Sequence, residues 1–325
     1  MTEPRFRVVI TDCDFEMPPV IEQAELDPIG AELVVEQCFT EDALIEKVAD
    51  ADGLLEQYAP ITARVVDALE RCKVIVRYGT GMDPIDVAAA TAKGIVVCNV
   101  RDYQVGEVAD HTMGFLLALA RHIVVYNDDV RAGIWDASGG VPERMERVEG
   151  QTLGLIGLGQ TAQAVAARAR AFGLRAIGHS PRAPDSAFEA AQVERVPLDD
   201  LLRESDFVSV HTPLRAQTHH LIGEAEFDLM KPSVFLINTA RGAVVDNAAL
   251  AQALKDGRIA GAGLDVTEEE PLPMDSPLRE APNLIVTPHG GFYSRTSIRI
   301  LRREAAAEVA RVLRGEPPKS LFEPE

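Results

Sequence analysis

Short runs of Val, Ile and Leu alternate with amphipathic stretches along almost the whole chain. The runs at 7–11, 32–37, 53–57, 74–78 and 95–99 read as buried strands, because they are too short for core helices and are bounded by turn residues. Between them, 41–51, 62–71 and 84–93 carry apolar residues at helical spacing. Strand and helix in alternation predict parallel sheets covered by helices, an α/β fold. The rhythm breaks near Asn99-Val-Arg-Asp102, and one long helix is expected over 104–125. Its apolar positions, among them Val108, Met113, Phe115, Leu116, Leu117 and Leu119, cover several faces, which suits core packing or a subunit interface equally. After a loop over 135–148 a second series begins, with strands expected at 152–156, 175–178, 207–211, 234–238, 262–266 and 284–287. A terminal helix is expected over 294–313, followed by a Pro-rich tail.

At 325 residues the chain is long for one hydrophobic core, and two domains are expected. The net charge of −19 argues against nucleic acid and anionic membrane surfaces as partners. A small anionic substrate would then need a local cationic pocket. No apolar stretch approaches the roughly 20 residues that span a bilayer, and the N-terminal residues lack the apolar segment of a secretory signal. Cys13, Cys38, Cys72 and Cys98 have no ligand-like spacing, so buried free thiols in a reducing cytoplasm are expected, and no metal.

The most specific local signal is Gly154-Leu-Ile-Gly157-Leu-Gly159-Gln-Thr-Ala162, an apolar run that turns through glycines into the helical pattern of 163–172. This is the strand, tight turn and helix of a dinucleotide fingerprint. Gly157 permits the turn, Gly159 leaves no side chain between backbone and pyrophosphate, and the helix start at Gln160 and Thr161 offers free N–H groups to phosphate. Three later segments each place an ionisable residue just after a strand, where open α/β sheets bind ligands. They are Ile237-Asn-Thr-Ala-Arg241-Gly, Leu264-Asp265-Val-Thr-Glu-Glu-Glu270-Pro271 and Val286-Thr-Pro-His289-Gly-Gly. Singly, each also reads as a solvated strand end or loop.

Taken together with Arg77-Tyr-Gly-Thr-Gly-Met-Asp83, Trp135 and His211-Thr-Pro-Leu214, these segments resemble the D-isomer-specific 2-hydroxyacid dehydrogenase family across essentially the whole chain. Arg77 before Gly-Thr-Gly, Val97-Cys-Asn-Val100 and the pair Phe292-Tyr293 look closest to its C-terminal-binding-protein-like branch. The resemblance implies two Rossmann-like or flavodoxin-like lobes with parallel sheets flanking a cleft. Residues 1–101 and 294–325 would form the substrate-binding lobe, and 102–293 the dinucleotide-binding lobe. It also implies a homodimer.

For the site, the resemblance implies His289 as general acid for reduction and base for oxidation, a task for which imidazole is the usual side chain. Glu270 would fix the imidazole tautomer. Arg241 would grip the substrate carboxylate and polarise the carbonyl. The backbone amides of Thr80 and Gly81 would form a nest for the carboxylate, with Arg77 a second cation. Phe292 would leave room for an apolar substrate group or pack at the helix start. Asp265 would receive the nicotinamide carboxamide, and Thr112, His211, Thr212, Pro213, Thr218 and Thr239 match cofactor-lining positions. One position departs from the family. The cofactor strand ends Ile177-Gly-His179-Ser180-Pro-Arg182, with Ser180 where an Asp usually binds the ribose hydroxyls and repels a 2′-phosphate. With Arg182 and His179 nearby, the reading is NAD(P) with NADP favoured over NAD. The expected activity is hydride transfer between nicotinamide and a 2-keto acid or D-2-hydroxy acid. A dinucleotide-sensing binding protein and a short 3-phosphoglycerate dehydrogenase are the alternatives.

Overall fold

The computed structural model describes residues 5–14, 18–137 and 145–322, so part of the loop expected over 135–148 lies outside the described residues. The chain divides into two compact units, Met1–Gln104 with Tyr293–Glu325, and Val105–Phe292.

The first unit contains β1 (Phe6–Ile10), α1 (Val20–Leu26), β2 (Ala31–Val35), α2 (Glu41–Val48), β3 (Gly53–Glu56), α3 (Ala63–Ala68), β4 (Val74–Arg77), α4 (Val87–Ala92) and β5 (Val96–Asn99). Its five strands form a parallel sheet in the order β2-β1-β3-β4-β5. Val8, Leu54, Ile75 and Val97 are buried in it, the uninterrupted apolar content of a sheet covered on both faces. Helices α2, α3 and α4 start where Thr40, Thr62 and Asp86 accept an amide hydrogen bond three residues on, which satisfies one orphan donor of each first turn.

The second unit contains α5 (Val105–Ala120), α6 (Ile123–Arg131), β6 (Thr152–Ile156), α7 (Gln160–Ala171), β7 (Arg175–His179), α8 (Asp185–Ala191), β8 (Glu194–Arg195), α9 (Leu198–Glu204), β9 (Phe207–Val210), α10 (Glu224–Leu229), β10 (Phe235–Asn238), α11 (Asn247–Lys255), β11 (Gly261–Leu264) and β12 (Leu284–Val286). Seven parallel strands are ordered β12-β11-β10-β9-β6-β7-β8. Phe115, Leu116, Leu153 and Phe207 belong to the core on one face, and Leu201, Phe227, Leu236 and Leu250 to the core on the other. Strand order reverses at β6, which has β7 on one side and β9 on the other. Such a switch point opens a crevice at the carboxyl ends of the strands.

The expected long helix over 104–125 is two helices. α5 stops at Ala120, His122 adopts a left-handed φ of 48°, and α6 departs at 61°. The His122 ring lies edge-on to Phe235, 6.3 Å between centroids, which anchors the corner. The apolar pattern continued through Val125, yet α5 buries Met113, Phe115, Leu116 and Leu119 whereas α6 buries none of its residues, so the periodicity served two different environments. Among the described residues no single helix is long and apolar enough to cross a membrane, although the bent α5–α6 pair meets that test by length and composition.

The last helix, α12 (Arg295–Leu313), belongs to the first unit. Arg302 donates from Nε and Nη2 to Glu22 of α1 at 2.7 Å each, and the Tyr78 hydroxyl donates to the same carboxylate at 3.1 Å. All three side chains are buried, and their mutual satisfaction is what makes burying the charges tolerable. None of the four cysteines forms a disulfide. Cys38 and Cys98 are buried, whereas Cys13 and Cys72 are only partly covered, against the expectation that all four are buried.

Candidate active site

The glycine corner connects β6 to α7 at the strand-order reversal. Gly157 has φ +96°, and a Cβ there would meet the His211 carbonyl oxygen at 2.7 Å, so both backbone and space demand glycine. Gly159 caps α7 without a side chain, and no atom lies within 4 Å of where its Cβ would be. Free space at the start of a twelve-residue helix is what a pyrophosphate requires, and the residues fit a dinucleotide there. Gln160 is exposed and Thr161 half-buried at that helix start.

The three ionisable side chains singled out in the sequence are set by turns beyond β10, β11 and β12. Asn238 Oδ1 accepts from the Ala240 amide and its Nδ2 donates to the Arg241 carbonyl, which fixes the turn carrying Arg241. The next residue, Gly242, runs so close to the following loop that a Cβ would fall 1.9 Å from the Thr267 carbonyl. The Arg241 turn is thereby pressed against the loop that bears Glu270. Glu270 Oε1 accepts from the Thr267 amide at 3.1 Å, and its Oε2 lies 2.7 Å from His289 Nδ1. Burial pushes the Glu270 carboxyl upward, but the His289 hydrogen bond and charge, the Thr267 amide and the Arg241 guanidinium outweigh it and hold the group below the ordinary glutamate value. An ionised acceptor at Nδ1 fixes the Nδ1–H tautomer, so Nε2 is the nitrogen that gains and loses a proton. His289 itself sits at φ +52°, its amide donating to the Asp265 and Thr287 carbonyls. The Phe292 ring stands edge-on to the imidazole at 6.1 Å.

Other residues singled out in the sequence have more local partners. Asp265 is buried, and its carboxylate accepts from the Thr287 hydroxyl at 2.5 Å and from the Gly290 and Gly291 amides at 2.9 and 2.8 Å. It pins the turn holding His289. Thr112 and Thr239 hydrogen-bond each other at 2.9 Å. The His211 ring accepts or donates at Ser209 Oγ, 2.9 Å away, and burial lowers its pKa to about 4, so it is neutral near pH 7. Thr218 ties its own loop, donating to the Pro213 carbonyl and accepting from the Arg215 amide, while Thr212 is half-buried in the same stretch. Ser180 and Arg182 follow β7, with Arg182 exposed and the His179 ring 3.3 Å from the Val196 carbonyl.

In the first unit, Thr80 accepts from Gln104 Nε2 and donates to the Val100 carbonyl, with Gly81 half-buried beside it. Arg77 is turned inward. Its Nη2 donates to the Gln57 carbonyl, and its Nε lies 4.0 Å from the fully buried Glu56. Neither Glu56 oxygen has a hydrogen-bond partner, and burial pushes this carboxyl up to about 8, with Arg77 pulling part of the way back. Sequence reading missed Glu56, because an acidic residue closing an apolar run looks like a strand end. It also missed His111 of α5, whose Nε2 lies 2.9 Å from Thr287 Oγ1, 176 residues away in sequence. A lone imidazole among apolar helix positions was the one available signal.

A dinucleotide corner at a switch point, with an acid-paired imidazole at the carboxyl edge of the same sheet, is an arrangement that suits nicotinamide-dependent oxidoreductases. The family model described as D-isomer specific 2-hydroxyacid dehydrogenase, NAD binding domain, matches residues 113–291, and the chain belongs to that family. It is 40% identical over 285 residues to a glyoxylate reductase of Korarchaeum cryptofilum, covering 87% of this chain and 86% of that protein. It is 41% identical over 295 residues to a D-3-phosphoglycerate dehydrogenase of Methanocaldococcus jannaschii, covering 90% of this chain but 55% of that one, so it spans about half of that relative's length. The crystal structure of the TT0316 protein from Thermus thermophilus superposes with a TM-score of 0.88 at 37% identity, covering 98% of this chain and all of that one.

Proposed function

We propose that the chain is an NAD(P)H-dependent reductase of small 2-keto acids, forming the D-2-hydroxy acid, with His289 as acid–base group. The hydrogen bond between His289 Nδ1 and Glu270 carries this reading. When bound, the nicotinamide supplies the hydride to the keto carbon. His289 delivers a proton from Nε2 to the carbonyl oxygen, and the reverse direction uses the same nitrogen as base. Glu270 holds the tautomer and stabilises the imidazolium. Arg241 grips the substrate carboxylate and polarises the carbonyl. The amides of Thr80 and Gly81 remain assigned to the carboxylate. Arg77 is a weaker candidate as second cation, because its guanidinium faces Glu56. Phe292 beside the imidazole supports an apolar or unsubstituted keto-acid side chain.

Ser180 just after β7, with exposed Arg182 two residues on, supports NADP over NAD. A homodimer is supported by α6, which buries nothing and exposes Ile123, Val124 and Val130, with Ile134 and Trp135 exposed just beyond. Four cysteines without a disulfide among them support a reducing, cytoplasmic setting. A 3-phosphoglycerate dehydrogenase is the second reading, favoured by the identity to the Methanocaldococcus protein.

The test is NADPH and NADH oxidation with glyoxylate, pyruvate, hydroxypyruvate and 3-phosphohydroxypyruvate. Turnover of the unphosphorylated acids supports the reading, and a preference for the phosphorylated one moves it to the second. Tight cofactor binding without any turnover overturns both in favour of a dinucleotide-sensing binding protein.

A further inference from the structure

Thr287 has one hydroxyl proton and two polar neighbours. Its Oγ1 lies 2.5 Å from Asp265 Oδ1 and 2.9 Å from His111 Nε2. Asp265 also accepts the Gly290 and Gly291 amides, so its carboxylate acts as acceptor throughout. The Thr287 proton is therefore committed to Asp265, and only a lone pair faces His111. That requires His111 to present N–H at Nε2. The polarity runs one way, from His111 Nε2–H to Thr287 Oγ1–H to Asp265 Oδ1. His111 Nε2 also lies 3.5 Å from the same Asp265 oxygen. The ring is held edge-on against Phe115, one turn along α5, at 4.7 Å.

This chain of donors ends on the backbone that carries His289. The His289 amide donates to the carbonyls of Asp265 and Thr287, the two residues His111 organises, and His289 takes a left-handed backbone conformation that is uncommon outside glycine. We propose that His111 is a positioning residue for the acid–base imidazole: through Thr287 and Asp265 it fixes the turn that sets His289 against Glu270. The inference rests on His289 being the proton donor proposed above. Removing the donor at position 111 takes away one of the two bonds that hold the Thr287 side chain, and with it the tie from α5 to the turn; small misplacement of a reacting group is costly to rate.

Two variants separate positioning from bulk. His111→Phe keeps the ring contact and removes the donor; His111→Gln places an amide N–H near the Nε2 position. With glyoxylate and NADPH, His111→Phe is expected to lower kcat by roughly 10- to 100-fold, with KM for glyoxylate and NADPH affinity within about twofold, and His111→Gln to recover most of the loss. Wild-type kcat in His111→Phe, or a His111→Gln as slow as His111→Phe, overturns the proposal. ¹⁵N chemical shifts of the wild-type histidines give a readout independent of any variant's folding. The expected result is protonated Nε2 on His111, and an Nδ1–H tautomer there overturns the proposal. If the wild type reduces no keto acid while the tautomer is as expected, it is the assigned reaction that has failed.

Discussion

Asp265 and Glu56 stand at similar stations, each buried where a parallel strand ends, one in each unit. Asp265 receives a hydroxyl and two amides. Glu56 receives nothing, and its nearest cation, Arg77, stays 4.0 Å away. The contrast is local, because Asp12 in the same unit as Glu56 is also buried yet accepts from Thr11 and from the amides of Gln57 and Tyr58. A buried carboxylate with donors on every side fixes the backbone around it. One without them holds its proton instead and costs the folded state more as pH rises. Geometry has been organised around Asp265, and an electrostatic cost has been left at Glu56.

The largest expected effect is at the imidazole that the Asp265 turn presents. His289→Ala should lower kcat by about 10²–10⁴-fold, with NADPH affinity nearly unchanged in a fluorescence titration; undiminished turnover would show that the proton comes from elsewhere. Glu270→Gln should cost roughly 10²-fold in kcat, because an amide keeps the shape but not the charge that selects the tautomer. The depressed Glu270 carboxyl means the pair survives mild acid in the wild type. It is fully present above the ordinary glutamate value and is lost only as pH falls through the lowered one.

Cofactor choice is a smaller and separate matter. Ser180→Asp should move the ratio of kcat/KM for NADPH over NADH toward NADH by about tenfold or more, through like-charge repulsion of a 2′-phosphate. An unchanged ratio would remove Ser180 from the specificity argument.

The effect at Glu56 falls on stability. The folded group keeps its proton up to about pH 8, whereas the unfolded chain releases it near 4.5. Between those values the folded state binds more protons, so stability declines as pH rises, at no more than about 1.4 kcal/mol per unit. Glu56→Gln should remove that decline, its advantage in Tm over wild type growing from pH 5 to pH 8. Parallel Tm–pH curves for the two proteins would show that Glu56 is ionised in the fold.

The strand pattern made much of this legible. Apolar runs ending in Gly157, Asn238, Asp265 and Thr287 marked carboxyl edges, and at such edges ionisable residues are informative. What stayed hidden depended on partners far apart in sequence or on breaks that periodicity does not register. Nothing near His122 distinguishes a corner from a continued helix, since Ile123 and the two valines after it keep the apolar rhythm. Glu56 and Arg77 become a pair only because β3 and β4 align in register. His111 acquires its role from Thr287, which β12 brings to α5. Thr218 and the His211 ring, read from the family pattern as cofactor-lining, also have partners within their own loop and strand that the sequence does not announce.

The proposed reaction depends on Glu270 acting through His289. A double-mutant cycle of Glu270→Ala, His289→Ala and the pair, read as kcat with glyoxylate and NADPH, tests that directly. If Glu270 works only by orienting and charging the imidazole, the double variant is no slower than His289→Ala alone. Losses that multiply would mean the two residues act independently and would contradict the account.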